Sequence, residues 1–378
     1  MRNHTVPDDD VEHAHRSVGR SFENPCVIHD PMTFQGGGER YAISLAECLD
    51  APLYTSQCSI DIDSDITVNT FSESPVDRLL RRLPIWGLAD ALVYENFEVP
   101  EHHDVVITTG ATSKAVLHSP HQHRYHVIHT PARWLFDRAP GRYRDSWGPI
   151  RVVKRFYQSY MRIHDLSTIP RIRSFVANSE VISQRMSVYY NREPDTVIYP
   201  PVNTEQFYHE ANKGYILFIG RLEPHKGVEE MVRAVNNTNY SLKIAGTGSL
   251  KPRLSKLMSS NVELLGYVSE ERKRRLLANC DALLFNSYAE DFGIVPIEAF
   301  ASGKPVIGVR EGYTKQQISD GENGVLFARG KDAMRDAIDR AYSIDWDPAE
   351  IQATSDKYSI EHFNEQWRKL IFGQSKDP

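Results

Sequence analysis

No apolar run in the 378 residues approaches the roughly 20 needed to cross a bilayer, which excludes a spanning helix. Cysteine is scarce, and Cys26, Cys48, Cys58 and Cys280 form no C-x-x-C pair and no metal-ligand spacing. With no signal-peptide pattern ahead of them, these four are expected as buried free thiols in a reducing cytoplasm. Positive charge is not in excess: 44 Lys and Arg stand against 50 Asp and Glu, a formal net charge of −6. The whole chain therefore lacks the electrostatic footprint of a nucleic-acid binder. No short-period repeat is visible. What is present, 40% hydrophobic and 25% charged residues, is the mix of a soluble globular protein. At about 100–200 residues per domain, the length predicts two domains.

Residues 1–24 carry an acidic run (Asp8, Asp9, Asp10), scattered histidines and few large apolar residues, and read as a flexible polar arm. After it, short apolar strands alternate with helical stretches. Strands are predicted at Cys26–His29, Asp104–Thr108, Tyr125–His129 and Ser174–Ala177, with helices running to Leu49 and following Ser179. Val197-Ile198-Tyr199-Pro200-Pro201-Val202 is a seam, because two prolines continue neither a helix nor a central strand. The alternation then restarts. Strands are predicted at Tyr215–Ile219, Ser241–Ala245, Val262–Leu265, Ala282–Asn286 and Pro305–Val309, and helices at Val228–Val235 and Pro296–Ala301. Strands separated by helices imply parallel βαβ units. The reading is an α/β chain of two doubly wound, Rossmann-like domains, 25–200 and 201–355, facing a central cleft. A last helix within 356–378 is expected to pack back on the first domain. Ligands of such sheets sit at the carboxyl ends of the strands.

The strongest chemical signal is Glu290-Asp-Phe-Gly-Ile-Val-Pro-Ile-Glu298, two carboxylates eight positions apart on a strand-to-helix turn. Pro296 suits a first helical turn. The amides near Gly293, Ile294 and Val295 would then point out of a helix N-terminus, which favours a diphosphate. A carboxylate can accept two vicinal hydroxyls, so Glu290 and Glu298 suit a sugar at one end and a ribose at the other. The alternative for Glu298 is a residue that only complements the helix dipole. Gly220-Arg221-Leu-Glu-Pro-His-Lys226-Gly227 follows a strand directly. Arg221 offers a planar fork and Lys226 a point charge for phosphate. A lysine just ahead of a helix opposes the dipole, and an anion between the two would explain it. For Arg221 the alternative is an interdomain ion pair.

The G-R-L-x-x-x-K-G segment, the E-x7-E segment and Gly321-Glu-Asn-Gly324-Val-Leu-Phe resemble retaining glycosyltransferases of family 4, which have the GT-B fold. Gly36-Gly37-Gly38-Glu39-Arg40, His129-Thr-Pro-Ala-Arg133 and Asn178-Ser179-Glu180 agree, so the resemblance runs from about residue 26 to 370. The H-T-P-x-R-x-L stretch is similar to the O-antigen mannosyltransferase subgroup. The resemblance implies that Arg221 and Lys226 hold the donor diphosphate and stabilise the leaving nucleotide. It implies that Glu290 contacts the donor sugar beside the amides of Phe292 and Gly293, and that Glu298 holds the ribose. Gly37 and Gly38 would approach the diphosphate from the acceptor domain, and His129 would lie near the reacting carbon; a satisfied core histidine is the alternative. Gly266-Tyr267-Val268 would pack against the base, and Gly246 is counted with the donor-binding residues. One departure is Glu311-Gly-Tyr-Thr-Lys-Gln316, where the family pattern has an acid at the glutamine.

The implied reaction moves a hexose of mannose or glucose type from a GDP- or UDP-sugar to a glycan or lipid-linked saccharide, with retention and without a metal or other cofactor. The implied setting is cell-surface polysaccharide or glycoconjugate synthesis. Two rival readings have sequence support of their own. Asp61-Ile-Asp63-Ser-Asp65 spells the acidic string of a metal-dependent transferase, though a solvated acidic turn spells it too. Gly246-Thr-Gly248-Ser-Leu-Lys251 is a dinucleotide fingerprint without its third glycine, as in an NAD-dependent oxidoreductase. An inactive nucleotide-sugar-binding subunit is a third reading. Residues 133–173 hold ten Lys or Arg against three Asp or Glu. Val152, Val153, Phe156, Tyr160 and Ile163 recur there at helical spacing between Arg151, Lys154, Arg155 and Arg162. That pattern fits reversible binding of an anionic membrane on its cytoplasmic face, or a core helix with one solvated side.

Overall fold

The computed structural model describes residues 22–34, 36–71, 88–137 and 146–373. The expected arm 1–24 lies outside these save for its last three residues, as do Arg138, Arg142 and Arg144 of the basic stretch.

The first sheet contains β1 (Pro25–His29), β2 (Leu53–Thr55), β3 (Val68–Thr70), β4 (Val105–Thr109), β5 (His123–Ile128), β6 (Ser174–Ala177) and β7 (Thr196–Val197). All pair in parallel, in the order β3-β2-β1-β4-β5-β6-β7. Its helices are α1 (Gly37–Leu49), α2 (Leu88–Glu95), α3 (Gly148–Thr168) and α4 (Glu180–Tyr190). The second sheet contains β8 (Ile216–Ile219), β9 (Leu242–Ala245), β10 (Val262–Gly266), β11 (Ala282–Phe285), β12 (Val306–Val309) and β13 (Gly324–Phe327). These are parallel too, in the order β10-β9-β8-β11-β12-β13. Its helices are α5 (Val228–Val235), α6 (Lys251–Leu257), α7 (Glu270–Asn279), α8 (Ile294–Ala301), α9 (Thr314–Gln317), α10 (Lys331–Ser343) and α11 (Pro348–Ala353), and α12 (Ile360–Phe372) ends the described chain.

Continuous apolar runs become strands here because each sheet is covered on both faces. On β1, Val27 enters one core while Cys26 and Ile28 enter another. On β8, Ile216 and Phe218 face one core, and Tyr215, just ahead of the strand, and Leu217 face the other. Side chains thus alternate across the sheet, as strand geometry requires. In both sheets the chain order reverses between neighbouring strands, at β1/β4 and at β8/β11. The loops leaving those strands diverge and open a crevice at their carboxyl ends.

The chain crosses between the sheets twice, side by side. Val202, just past Pro200 and Pro201, donates its amide to Tyr358 O at 2.8 Å and bridges to Ser359, which caps α12. Phe363, Trp367 and Ile371 of α12 are buried in the core formed by β1 and α1. The four cysteines are free, three of them buried and Cys58 half-buried. No helix among the described residues is long and apolar enough to cross a membrane.

The basic amphipathic helix is α3, with an orientation that separates its two readings. Its buried residues are Met161, Asp165 and Thr168, and Asp165 is paired with Lys114. The apolar residues Val152, Val153, Phe156, Tyr160 and Ile163 are instead exposed, Phe156 by 74%. The stripe read from the sequence is therefore the outer face, not a core face.

Candidate active site

The second sheet supplies the charged wall. β8 ends at Ile219, and the loop beyond carries Arg221, exposed, and then a single 3-10 turn, Pro224–Lys226. Gly227 follows at φ +65°, and a Cβ there would lie 2.5 Å from the Asn286 backbone oxygen. Only glycine lets the β8 and β11 loops touch, and that contact brings Lys226 to the second loop. Lys226 Nζ lies 2.7 Å from Glu290 Oε2 and 3.3 Å from Ser287 Oγ, and the Ser287 hydroxyl donates to the same carboxylate oxygen. Burial alone would push the Glu290 carboxyl up; Lys226, Ser287 and His225 outweigh it and hold the group below its ordinary value. Glu290 is thus an ionised acceptor with its geometry fixed. Arg221 makes no ion pair within 4.0 Å among the described residues.

The turn from Asn286 to Gly293 is braced from behind. Ala289 adopts φ +46°, a strained conformation for a residue with a side chain. Tyr313 N donates to Glu290 O at 2.9 Å, and Gln317 Nε2 donates to Gly293 O at 2.9 Å. Arg329 grips Glu311 with two 2.7 Å bonds, reaches Asn286 Oδ1 at 3.1 Å and lies 3.3 Å from the centre of the Tyr288 ring. Gln316, which stands where the resemblance leads one to expect an acid, is exposed. The side chain of Phe292 is buried, stacked on Tyr199 and Tyr313, so only its backbone can reach a ligand. Gly293, at φ +82°, precedes α8; Ile294 and Val295 open the helix and Pro296 falls in its first turn, where a missing N–H costs nothing.

Glu298, 5% exposed, accepts from Lys273 Nζ at 2.6 Å, while its Oε2 is buried without a partner. The sequence reading missed Lys273, although a lysine near the start of α7 opposes the dipole as Lys226 does. A Cβ at Gly246 would stand 1.9 Å from Gly220 O. That contact gives Gly246 a steric reason to be glycine, the close approach of the β8 and β9 loops, with no dinucleotide involved. Val268 is half-buried beside Tyr267, which is 81% exposed at the end of β10. Asp61, Asp63 and Asp65 are exposed in the loop ahead of β3.

The first sheet faces this wall with the N-terminus of α1. The Gly36 amide donates to Glu39 Oε2 at 3.0 Å, closing the first turn. Gly37 leaves 3.8 Å between its would-be Cβ and Ile294 Cδ1 of the opposite helix, and Gly38 leaves 3.5 Å to the His29 ring. Two helix N-termini therefore converge across the cleft. β5 ends one residue short of the expected strand, leaving His129 in the loop. His129 Nε2 is 2.6 Å from Thr109 Oγ1, and its ring meets Tyr41 edge-on at 4.8 Å. Burial, with His29 nearby, pushes it down to about 3, so it is neutral at physiological pH.

Contacts centred on Asp291 help tie the walls together. Arg185 and Arg133 both reach Asp291, the latter at 3.8 Å, and Ser179 Oγ donates to Asp291 O at 2.7 Å. Neither the Asp291 pairs nor the Arg329–Glu311 grip has a local signature, since each partner comes from a distant segment. Between the walls lies a cavity of about 510 Å³ lined by Thr130, Arg133, Arg221, Lys226, Glu290 and Asp291 among others, of a size for a small ligand.

Residues 203–358 match the family model described as Glycosyl transferases group 1. An uncharacterized glycosyltransferase of Methanocaldococcus jannaschii is 34% identical over 134 residues, covering 34% of this chain and 38% of that protein. The D-rhamnosyltransferase WbpZ of Pseudomonas aeruginosa is 29% identical over 193 residues, covering 47% and 50%. The chain thus spans half or less of these relatives' length. A solved structure of Anabaena HepE in complex with UDP superposes with a TM-score of 0.66 at 17% identity, covering 92% of this chain and 99% of that one. The chain thus has the GT-B fold, and its residues 203–358 are similar to the glycosyl transferases group 1 family.

Proposed function

We propose that the protein is a retaining glycosyltransferase that moves a hexose from a nucleotide diphosphate sugar to a glycan or lipid-linked saccharide without a metal. The carrying observation is Lys226 Nζ, 2.7 Å from Glu290 in a cleft where Arg221 is exposed and the N-termini of α1 and α8 converge. Breaking the bond to the diphosphate leaves negative charge on the phosphate. Lys226, Arg221 and the amides of Ile294 and Val295 stabilise it from fixed positions, which is the largest effect a protein can bring to such a step. Glu290, already ionised, accepts sugar hydroxyls, and Glu298 accepts the ribose. His129 is neutral and so serves as a hydrogen-bonding group rather than a cation. No carboxylate is assigned as a covalent nucleophile; front-face attack, with the leaving phosphate taking the acceptor's proton, is the mechanism proposed. A mannose- or glucose-type hexose and a GDP or UDP carrier remain the proposed donors; Anabaena HepE, solved with UDP-glucose, supports the UDP choice.

The test is a screen of GDP- and UDP-sugars for release of nucleoside diphosphate, with and without EDTA, followed by acceptor trapping. Release is expected from one donor and is expected to survive EDTA. Loss in EDTA with recovery in manganese would reassign the charge stabilisation to a metal.

For the acceptor side we propose reversible docking of α3 on an anionic bilayer. Val153, Phe156, Tyr160 and Ile163 share one exposed face, flanked by Lys154, Arg155 and Arg162. Apolar insertion and charge complementarity point to the same surface, with each base near an anionic headgroup contributing about 1 kcal/mol. Pelleting with phosphatidylserine vesicles at low salt is expected, with release by salt and loss when Lys154, Arg155 and Arg162 are changed to glutamate. No pelleting of the parent, or unchanged pelleting of the variant, refutes the docking face.

A further inference from the structure

Lys273 sits four residues into α7, where its charge opposes the helix dipole, and it is only 8% exposed. A buried ammonium needs partners, and it has two: Glu298 Oε1 at 2.6 Å and Glu270 Oε2 at 2.7 Å. The two carboxylates differ. The side chain of Glu298 is 6% exposed and its Oε2 has no hydrogen-bond partner, whereas that of Glu270 is 59% exposed and stands 3.6 Å from Arg40 on α1 of the first domain. Lys273, Glu270 and Arg40 are the charged groups that act on Glu298 among the described residues. One ammonium is therefore shared between a sealed acid with one unpaired oxygen and an exposed acid that also faces Arg40 of the first domain.

An unpaired buried acceptor is costly, and is kept where a donor arrives to complete it. The hydroxyl pair of a ribose is such a donor. Resting on the reading of Glu298 as the ribose acceptor, we infer that Lys273 is a positioning residue for the donor nucleotide. It engages Glu298 through Oε1 and leaves Oε2 unpaired for a ribose hydroxyl, while Glu270 competes for the same ammonium. The sign of each effect follows. Burial pushes the Glu298 carboxyl up, Lys273 opposes that and Glu270 adds to it. Removing Lys273 raises the pH needed to keep Glu298 ionised; neutralising Glu270 lowers it.

The experiment is calorimetric titration of the full chain with UDP and GDP, each against its 2′,3′-dideoxy counterpart, across the acidic to mildly alkaline range. The parent is expected to prefer the ribonucleotide, with the preference fading toward acid. Lys273→Met is expected to lose about ten- to a hundredfold of ribonucleotide affinity at neutral pH, the worth of one hydrogen bond to a charged group, and to recover it with rising pH. Its affinity for the dideoxy ligand stays parental, which reports an intact fold. Lys273→Arg retains the preference, and Glu270→Gln moves the acid limb the opposite way, to lower pH. A parental preference in Lys273→Met at every pH, or an acid limb unmoved in Glu270→Gln, overturns the inference; if Lys273→Met does not fold, the Glu270→Gln profile decides alone. Absence of any ribose preference in the parent, unchanged in Glu298→Gln, instead removes the ribose reading on which the inference stands.

Discussion

Lys226 and Glu290 neutralise each other at 2.7 Å, so neither charge is spent on bulk solvent before a ligand arrives. The consequence is a separation of roles that single substitutions resolve. Lys226→Ala is expected to lower the transfer rate by about 10²–10³, the usual effect of deleting one donor aimed at developing charge. Glu290→Ala is expected to harm transfer while leaving affinity for the free nucleoside diphosphate close to parental, because that ligand has no sugar. Glu298→Ala is expected to weaken donor and free diphosphate alike, since both carry the ribose. Binding of the free diphosphate, measured beside turnover, checks the division; equal loss of its affinity in both glutamate variants contradicts it. Lys226 and Glu290 were legible as candidates because each lies in the loop that follows a strand, at the sheet's carboxyl edge, whereas Glu298, inside α8, was read from its spacing to Glu290 and from the family resemblance. Lys273, Asp291 and Arg329 were not, since their partners Glu298, Arg133 and Glu311 arrive from other turns and only the packed sheet brings them together.

At the scale of elements, the long buried strands were readable as apolar runs bounded by glycine and proline. β2 and β7 were not, because two or three residues of mixed polarity carry no period. α3 shows the converse limit: its apolar period was plain, but periodicity does not say whether a stripe faces a core or water, and here it faces outward. The loops between elements make a sharper prediction. Gly246, at φ +144°, would place a Cβ 1.9 Å from Gly220 O, a backbone atom that cannot swing aside. Gly330, at φ +123°, has nothing within 4 Å. Gly330→Ala is therefore expected to cost only conformational strain, on the order of 1–3 kcal/mol. Gly246→Ala is expected to cost more than that and to displace the loop carrying Arg221, so that nucleotide affinity falls as well. Urea melts of both variants with a nucleotide titration are the check, and equal losses of stability would show that loop contact is not what requires glycine.

The molecule as a whole is held by a chain that leaves the first sheet, builds the second and returns. α12 brings Trp367 back into the core of the first domain, where its Nε1 donates to Tyr41 Oη at 3.2 Å and Phe363 meets the Tyr41 ring edge-on at 5.1 Å. Tyr41 in turn meets the His129 ring at 4.8 Å. The C-terminal helix thus supports the first-domain side of the cleft through two aromatic contacts, while the charged wall of Lys226 and Glu290 stands on the other sheet. Trp367→Ala is expected to cost about 3–5 kcal/mol, as large aromatic truncations in cores do. Trp367→Phe keeps most of the volume but leaves the buried Tyr41 hydroxyl without its donor, and is expected to cost about 1–3 kcal/mol. In both variants, at temperatures where the chain stays folded, transfer is expected to fall with the loosening of His129 while affinity for the nucleoside diphosphate holds, because the proposed contacts to the nucleotide lie mainly beyond the second sheet. Urea melts, turnover and nucleotide titration on the same preparations distinguish this from a global loss. If nucleotide affinity falls in step with turnover, α12 supports both walls together, and the division of labour between the domains is wrong.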